Sequence, residues 1–278
     1  MTDFSRYFIV TDMDGTLLDR SSQIPERSLD AIRRFVAGGG HFTVATGRPH
    51  VLLTPVPSPE NILTAPAIAV NGAYLYDFRT GKCLMEQFIT PEAAADVLDF
   101  LNTEFPHVPW RVAAPAAAVR TATPFGLLLH DMEVYTPKNV AVMPYEAWPL
   151  DDWQKVVVRE EPDVLDAVRA RAEARFGGLL DIFLTGSRLL EMQPVGCSKG
   201  AALQKLCGLV GDEDLTVIAC GDFENDIEML RAADIAVAPA NAIDSVRAVA
   251  DMVLCHCDEG LIADVVAHIE AGTLKKRA

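Results

Sequence analysis

Two carboxylates that can do chemistry stand near the N-terminus, directly after an apolar segment. Asp12 and Asp14 follow the apolar residues 7–10 and precede Gly15. In an extended chain, residues two apart point to the same side, so we expect both carboxylates to aim at one region. Gly15 then lets the chain turn sharply. Two like charges held together cost free energy unless a cation offsets them. The spacing therefore indicates an oxygen-ligated divalent metal, with magnesium as the expected ion.

Further polar residues stand where predicted strands end or predicted helices begin. They are Thr46, Gly47, Lys199, Asp222, Asn225 and Asp226. Ligands of an open α/β sheet bind at the carboxyl ends of its strands, so we expect these residues to converge with Asp12 and Asp14. Each motif alone is weak, since a lone Asp-x-Asp or Thr-Gly-Arg is usually a solvated turn. Four short motifs contain these residues: Asp12/Asp14, Thr46-Gly47, Lys199, and Asp222 to Asp226. Their order and their place beside predicted strands make the whole pattern specific.

The residue types suit phosphoryl transfer through a covalent intermediate. A carboxylate such as Asp12 can attack phosphorus to form an aspartyl-phosphate, which water then hydrolyses. Asp14 can protonate the leaving oxygen and later take a proton from that water. Thr46 and Gly47 offer a hydroxyl and a backbone N–H to the same phosphate. Lys199 opens a helix, where the dipole favours anions, and would offset charge on Asp12 and on the phosphoryl group.

The acidic segment after residues 215–220 completes the set. Asp222 would supply a third metal contact, and Asn225 would bind phosphate. Asp226 would orient Lys199 or a metal-bound water. These roles require the segment to follow a strand of the same sheet.

Two other patterns have plainer interpretations. Asn71-Gly72 follows the predicted strand at 67–70, and either a simple turn or a functional role is open for it. Cys255-His256-Cys257 suggests a metal site, but no second ligand pair at zinc-like spacing follows, which argues against one.

The composition limits the classes of function. The chain has 278 residues, half of them apolar, which is enough for one large domain or two modest ones. A net charge of −15 disfavours binding to nucleic acid or to an anionic membrane. We expect no leader peptide and no membrane span. Six cysteines in or beside apolar segments favour reduced thiols and a cytoplasmic protein.

The alternation of apolar strands and amphipathic helices predicts the fold class. It occurs in the first and the last third of the chain and favours a parallel sheet covered by helices. The middle contains helices and short strands, including one at 126–130 and a closing pair at 180–184 and 188–192. We therefore predict an α/β protein with a Rossmann-like core over 1–81 and 191–278. An α+β cap over 82–190 is inserted in it.

At this point the sequence resembles the haloacid dehalogenase superfamily of aspartate-nucleophile phosphotransferases. The four motifs occur in the family's order and read Asp12-Met13-Asp14-Gly15-Thr16, Ala45-Thr46-Gly47-Arg48, Ser198-Lys199-Gly200 and Gly221-Asp222-Phe223-Glu224-Asn225-Asp226. The predicted insertion lies between the second and third motifs, after Asn71-Gly72-Ala73, and looks like that of the Cof-type branch. The resemblance covers nearly the whole chain.

The resemblance implies a mobile cap, magnesium and hydrolysis of small phosphate esters. It makes Asp12 the nucleophile and Asp14 the general acid/base. The implied metal ligands are Asp12, the main-chain oxygen of Asp14, and Asp222. The implied phosphate contacts are Met13, Thr46, Gly47, Lys199 and Asn225. An acid at position 14 argues for phosphoryl transfer over dehalogenation, while Arg48 receives no catalytic role.

The expected function is a magnesium-dependent phosphatase acting on a small phosphorylated metabolite, a sugar phosphate or a phosphorylated cofactor. A phosphomutase of the same superfamily is the nearest alternative, and a non-catalytic metabolite-binding protein is another. The cap residues that select the substrate follow no recognisable pattern, and no oligomeric state is predicted. Possible substrate contacts are Arg111, Arg120, Lys138 and Arg188.

Overall fold

A computed structural model describes most of the chain. The described residues are 2–53, 56–115, 119–122, 140–211 and 214–275. The strand predicted at 126–130 and the possible substrate contact Lys138 lie outside them.

The chain divides into two compact units. One consists of Met1–Leu84 together with Ser198–Ala278, and the other is Met85–Cys197. The sequence placed the divisions after residues 81 and 190, whereas the structure places them after Leu84 and Cys197. The second unit is thus an insertion in the first. Every residue of the four motifs belongs to the first unit.

The strands and helices of the described residues have the following bounds. The strands are β1 (Tyr7–Thr11), β2 (His41–Val44), β3 (Ala67–Ala69), β4 (Tyr74–Asp77), β5 (Lys82–Glu86), β6 (Trp110–Ala113), β7 (Val119–Thr121), β8 (Val140–Val142), β9 (Lys155–Arg159), β10 (Leu180–Gly186), β11 (Leu189–Pro194), β12 (Thr216–Cys220), β13 (Ile235–Ala238) and β14 (Met252–Val253). The helices are α1 (Glu26–Ala37), α2 (Pro59–Ile62), α3 (Pro91–Glu104), α4 (Pro162–Phe176), α5 (Lys199–Val210), α6 (Ile227–Ala232), α7 (Asp244–Val249) and α8 (Leu261–Glu270). None of the helices in the described part of the chain is long and apolar enough to cross a membrane.

A parallel sheet forms the centre of the first unit. Its strand order is β14-β13-β12-β1-β2, and each neighbouring pair runs parallel. Strands covered on both faces are apolar throughout, and β1 and β13 accordingly have almost no exposed residue. The predicted fold class is confirmed: this is an α/β protein with a parallel-sheet core and an inserted α+β segment.

Helices pack against the sheet through apolar side chains. α1 and α8 lie together over one cluster of buried residues, which includes Ile32, Phe35, Val265 and Val266. α5 packs against α6 at Gly200, where a Cβ would lie 2.7 Å from the main chain of Glu228. This close approach fixes the start of α5, and with it Lys199, relative to the acidic segment before α6.

The inserted unit has its own sheet and core. Its six strands run in the order β10-β11-β9-β6-β7-β8, and β10 and β11 form the predicted antiparallel pair. Thr90 caps α3 by accepting a hydrogen bond from the N–H of Ala93 at 3.3 Å, and Pro91 follows in the first turn. A separate core of this kind is what an independent α+β domain requires. Its aromatic members are Phe100, Trp110, Trp148, Trp153 and Phe176.

Candidate active site

The carboxyl ends of β1 and β12 lie side by side and carry the first acidic residues. Thr11 pairs with Cys220 in the parallel ladder, and the N–H of Asp12 donates to the Cys220 carbonyl oxygen at 2.8 Å. Asp12 and Asp222 therefore leave the sheet from adjacent strands. On the other side of β1, the N–H of Ala45 donates to the Thr11 carbonyl oxygen at 2.8 Å. The segment after β2 is thereby placed beside Asp12.

Lys199 lies in the first turn of α5, and its side chain is fully buried. The helix begins here because the Ser198 hydroxyl accepts a hydrogen bond from the N–H of Ala201 at 3.1 Å. The Lys199 Nζ donates to Oδ1 of Asp12 at 2.6 Å and to Oδ1 of Asp226 at 2.7 Å. Burial lowers the pKa of Lys199, but the two carboxylates more than reverse this, so the pKa is raised. Lys199 is therefore an ammonium at neutral pH.

Asp226 uses both carboxylate oxygens to organise its surroundings. Its Oδ1 accepts from Lys199, and its Oδ2 accepts from the N–H groups of Asp222 and Phe223 at 3.0 and 3.1 Å. Gly221 allows this contact, since a Cβ there would lie 2.4 Å from the Cβ of Asp226. With both oxygens engaged, Asp226 is placed to orient Lys199 and to shape the segment after β12.

Asp222 is held against the turn that follows Asp12. Its Oδ1 accepts a hydrogen bond from the Thr16 hydroxyl at 2.8 Å. Gly15 has a φ of 84°, and a Cβ there would lie 2.5 Å from Oδ2 of Asp222. Burial and the carboxylate of Asp226 raise the pKa of Asp222 to about 7, against the opposing effects of Thr16 and Lys199. The ionised form of Asp222 is therefore unfavourable here unless a cation lies nearby.

The three buried or half-buried acids form a cluster that fits a divalent metal ion. Asp12, Asp222 and Asp226 each offer a carboxylate oxygen within 4.8 Å of the others. Burial raises the pKa of Asp12 well above its ordinary value, Lys199 opposes this, and the other two acids add to it. When all three carboxyl groups are ionised, the ammonium of Lys199 offsets one of their negative charges, and a divalent cation would balance the other two. Oxygen-only donors are those of hard cations. Because Asp226 is fully engaged, Asp12 and Asp222 are the better-placed ligands.

The side chain of Asp14 is not one of the three grouped ligands, but its charge lies close enough to raise the pKa of both Asp12 and Asp222. β1 ends at Thr11, and the chain turns at Met13, whose carbonyl oxygen accepts from the N–H of Leu18 at 2.8 Å. Both oxygens of Asp14 instead accept from Arg48, at 2.8 Å from Nε and 2.5 Å from Nη2.

The segment after β2 contains Thr46 and Gly47, the predicted phosphate contacts. Thr46 is buried, and its hydroxyl oxygen accepts from the N–H of Arg48 at 3.1 Å. A hydroxyl that accepts still has its own hydrogen to donate. Gly47 lies half-buried beside it. Met13, the other predicted phosphate contact, has a fully buried side chain, so only its main chain can serve.

Asn225 makes a contact that the sequence did not reveal. Its Nδ2 donates to Oδ1 of Asn71 at 3.0 Å. An amide nitrogen carries two hydrogens, so this bond is compatible with a second one to phosphate. Asn241 was also missed: its Nδ2 donates to the carbonyl oxygen of Gly15 at 2.7 Å, and its Oδ1 accepts from the N–H of Cys257 at 3.0 Å. It ties the turn after Asp12 to the segment after β14.

A second group of possible metal ligands consists of His256, Cys257 and Asp258. The Nδ1 of His256 accepts from the N–H of Asp258 at 3.1 Å, and its Nε2 lies 3.1 Å from the guanidinium of Arg20. Burial raises the pKa of the Cys257 thiol to about 11. The guanidinium of Arg20 and the engaged imidazole of His256 make this a less suitable metal site than the cluster around Asp12.

Two of the possible substrate contacts are engaged within the inserted unit. Arg120 donates to both oxygens of Asp152, at 2.8 and 2.6 Å. Arg188 pairs with the exposed Glu161. These pairs satisfy the two guanidinium groups in the fold itself, which weakens the case for their binding substrate.

Comparisons with known proteins agree with this geometry. The profile of the haloacid dehalogenase-like hydrolases matches residues 9–266. Pyridoxal phosphate phosphatase YbhA of Escherichia coli (strain K12) is 28% identical over 253 residues, which cover 88% of this chain and 92% of that protein. The chloroplastic endoribonuclease YBEY of Arabidopsis thaliana is 28% identical over 273 residues, covering 93% of this chain and only 46% of that longer protein.

A solved structure shows the same fold. The crystal structure of a HAD/COF-like hydrolase from Plasmodium vivax superposes with a TM-score of 0.84 at 22% identity, covering 96% of both chains. The profile match spans all four motifs and the inserted unit. The chain therefore belongs to the haloacid dehalogenase-like hydrolase family.

Proposed function

We propose that the protein is a magnesium-dependent phosphatase that hydrolyses small phosphorylated metabolites through an aspartyl-phosphate on Asp12. The observation that carries this proposal is the buried ammonium of Lys199, 2.6 Å from Asp12 within an acidic cluster. A cation beside a carboxylate at a strand end stabilises the negative charge of a transferring phosphoryl group. Sugar phosphates and phosphorylated cofactors are the proposed substrates, and the relative from E. coli named for pyridoxal phosphate supports the second class.

The first step forms a bond between an Asp12 oxygen and phosphorus. The bond from phosphorus to the ester oxygen breaks, and that oxygen takes a proton from Asp14, releasing the alcohol. In the second step water attacks the same phosphorus while Asp14 takes a proton from it. The bond to Asp12 breaks, and inorganic phosphate leaves. Arg48 holds the carboxylate of Asp14, which is the general base in this second step.

The phosphate would be bound by groups from several segments. The Thr46 hydroxyl, the main-chain N–H groups of Met13 and Gly47, and the Nδ2 of Asn225 are donors, and Lys199 adds its charge. Bonds of this kind to an anion are stronger than bonds between neutral groups. Donors fixed by the fold need no reorganisation as charge develops in the transition state.

Asp12, Asp222 and the main-chain oxygen of Asp14 would hold the magnesium ion. When bound, it withdraws charge from the phosphoryl oxygens and offsets the repulsion between the acids. The residues fit this role because the cluster offers only oxygen donors, and a cation would favour the ionised form of its carboxyl groups.

The inserted unit is proposed to act as a cap that closes over the substrate, excludes water and sets specificity. Its supporting observation is its place in the chain, between the second and third motifs. The motif residues all lie in the unit formed by Met1–Leu84 and Ser198–Ala278 and are proposed to catalyse the reaction. The inserted unit would then recognise the part of the substrate that carries the phosphate.

Metal removal is the first test of this function. Phosphate release from sugar phosphates, nucleotides, pyridoxal phosphate and flavin mononucleotide is expected to require Mg²⁺ and to stop with chelator. Binding to the native state also stabilises it, by about 2.7 kcal/mol at a hundredfold excess over Kd. Mg²⁺ should therefore raise the melting temperature without substrate, and Asp222→Asn should lose this rise. Chelator-resistant release, or equal stabilisation of the variant, would contradict the metal assignment.

The same assays separate the alternatives. A phosphomutase would need a bisphosphate activator and would return the phosphoryl group to its product, so free phosphate released without activator counts against it. A non-catalytic binding protein would release none. The presence of Asp12, Asp14, Lys199 and Asp222 together supports catalysis over a binding role.

Arg48 is expected to matter through Asp14. Arg48→Lys removes the two-pronged contact to the carboxylate, and we expect kcat to fall by about tenfold because the acid/base is no longer held in place. Arg33→Lys is the control, since Arg33 makes an exposed ion pair with Asp30 on α1. Steady-state kinetics decide the point, and an unchanged kcat in Arg48→Lys would show that the pair has no role in turnover.

A further inference from the structure

Three consecutive residues between β3 and β4 have left-handed backbone angles. Val70 and Asn71 both have a φ of 51°, and Gly72 has a φ of 101°. Glycine adopts this region freely and asparagine tolerates it, but a β-branched residue such as valine is strained there. Val70 and Asn71 are also buried, each being 1% exposed. Such strain persists only where the surrounding structure holds it, and it gathers at functional sites.

The turn binds the segments that carry two of the motifs. The N–H of Val70 donates to the carbonyl oxygen of Arg48 at 3.1 Å, and the N–H of Asn71 donates to that of Thr46 at 2.9 Å. The side chain of Asn71 reaches the other way, its Oδ1 accepting from the Nδ2 of Asn225 at 3.0 Å. One residue thus links the Thr46 segment to the acidic segment after β12.

The turn also lies against the third motif. A Cβ on Gly72 would lie 2.2 Å from the carbonyl oxygen of Ser198 and 3.1 Å from the Cβ of Ala202. Only glycine permits this approach, so the turn is fixed against the start of the helix that carries Lys199.

We infer that Asn71 is a positioning residue for phosphate binding, an inference that rests on the proposed function. Its main chain holds the segment of Thr46, and its side chain orients the amide of Asn225. The Thr46 segment and the side chain of Asn225 thereby aim their donors at one anion. Asn71 and Asn225 lie 154 residues apart in the sequence. The strain of Val70 is the cost of bringing Asn71 to this place.

A purely conformational role makes a different prediction. Asn71→Gly keeps the left-handed backbone and removes only the side chain, so it separates the two roles. If asparagine were present only because it tolerates φ of 51°, glycine would serve as well. Asn71→Ser is the second variant should the first fail to fold. Serine adopts this backbone region elsewhere in the chain, at Ser22 and Ser58, and its shorter side chain loses the contact.

The experiment is a double-mutant cycle with Asn225→Ala. Affinity for inorganic phosphate is measured by calorimetry with Mg²⁺, kcat/KM with the best substrate of the panel, and folding by thermal unfolding. Asn71→Gly should lower both phosphate affinity and kcat/KM by about tenfold in the wild-type background. In the Asn225→Ala background it should change them by less than about twofold, because the group it orients is gone.

The outcomes are distinct. Unchanged phosphate affinity and kcat/KM in Asn71→Gly, or equal losses in both backgrounds, would overturn the inference. If the wild-type protein binds phosphate but releases none from any substrate, the proposed function fails and the affinity cycle still judges Asn71. If the wild-type protein neither binds phosphate nor releases it from any substrate, the proposed function and the role of Asn71 are both wrong.

Discussion

Asp12→Asn is expected to lower kcat by roughly 10⁴-fold or more, because the amide oxygen is a far weaker nucleophile than a carboxylate. The fold should survive, since asparagine has the same shape and the variant removes one of three clustered negative charges. Lys199 keeps its second partner, Asp226, at 2.7 Å. Phosphate release and thermal unfolding measure the two effects separately.

A matched control separates the loss of the nucleophile from the loss of one negative charge. Asp30→Asn makes the same substitution at an exposed position of α1 and should leave kcat unchanged. In the wild-type enzyme, acid-quenched mixtures analysed by mass spectrometry should contain a phosphorylated peptide that includes Asp12, and the Asp12→Asn variant should lack it. Phosphate release at the wild-type rate by that variant would refute the assignment of Asp12.

Lys199→Met is expected to unfold more easily and to lose activity as well. Removing one partner of a buried ion pair costs about 3–5 kcal/mol, because the remaining charge stays buried without compensation. Here two carboxylates, those of Asp12 and Asp226, lose their common cation. At a few degrees per kcal/mol, a fall of about 10 °C in melting temperature follows for a chain of this size.

The loss in Lys199→Met should depend on pH in a defined direction. In the wild-type protein the folded-state pKa of Lys199 lies above its ordinary 10.5, so its stabilisation is present throughout the neutral range and disappears only in strongly alkaline solution. In the variant, Asp12 loses the ammonium that opposes the rise of its pKa, so it binds a proton more tightly in the folded than in the unfolded state. Acidification then restores stability, and the difference from wild type should be smaller at pH ~5 than at pH ~8.

Lys205→Met provides the comparison for the lysine variant. It makes the same substitution on the exposed side of the same helix, α5, and should change stability by no more than about 0.5 kcal/mol. Thermal unfolding of both variants over pH gives the answer. A Lys199→Met protein as stable as wild type at neutral pH would mean that the pair contributes nothing to the fold.

The strands of the core were predictable because they are buried on both faces. Such strands are continuous apolar runs, and the segment at 235–238 coincides with β13. Parallel strands also bring their carboxyl ends to one edge. The convergence of Asp12, Lys199 and Asp222 could therefore be predicted from separate motifs far apart in the chain.

The side-chain partners within the site could not be predicted. Arg48 pairs with Asp14, 34 residues away, and Asn241 with the Gly15 carbonyl, 226 residues away. Such contacts depend on where loops bring side chains, which leaves no period or spacing in the sequence. Asn71-Gly72 left a turn and a functional role equally open, and nothing indicated that Val70 joins it, because valine disfavours a positive φ.

The pairing of β1 with β12 has a consequence for how the protein comes into being on the ribosome. Asp12 is synthesised before the inserted unit Met85–Cys197, and Lys199 follows after that unit, 187 residues later than Asp12. A nascent chain can complete the inserted unit, whose core is its own, while β1 still lacks its neighbour β12. The buried contact between Lys199 and Asp12 can therefore form only after the inserted unit has left the ribosome.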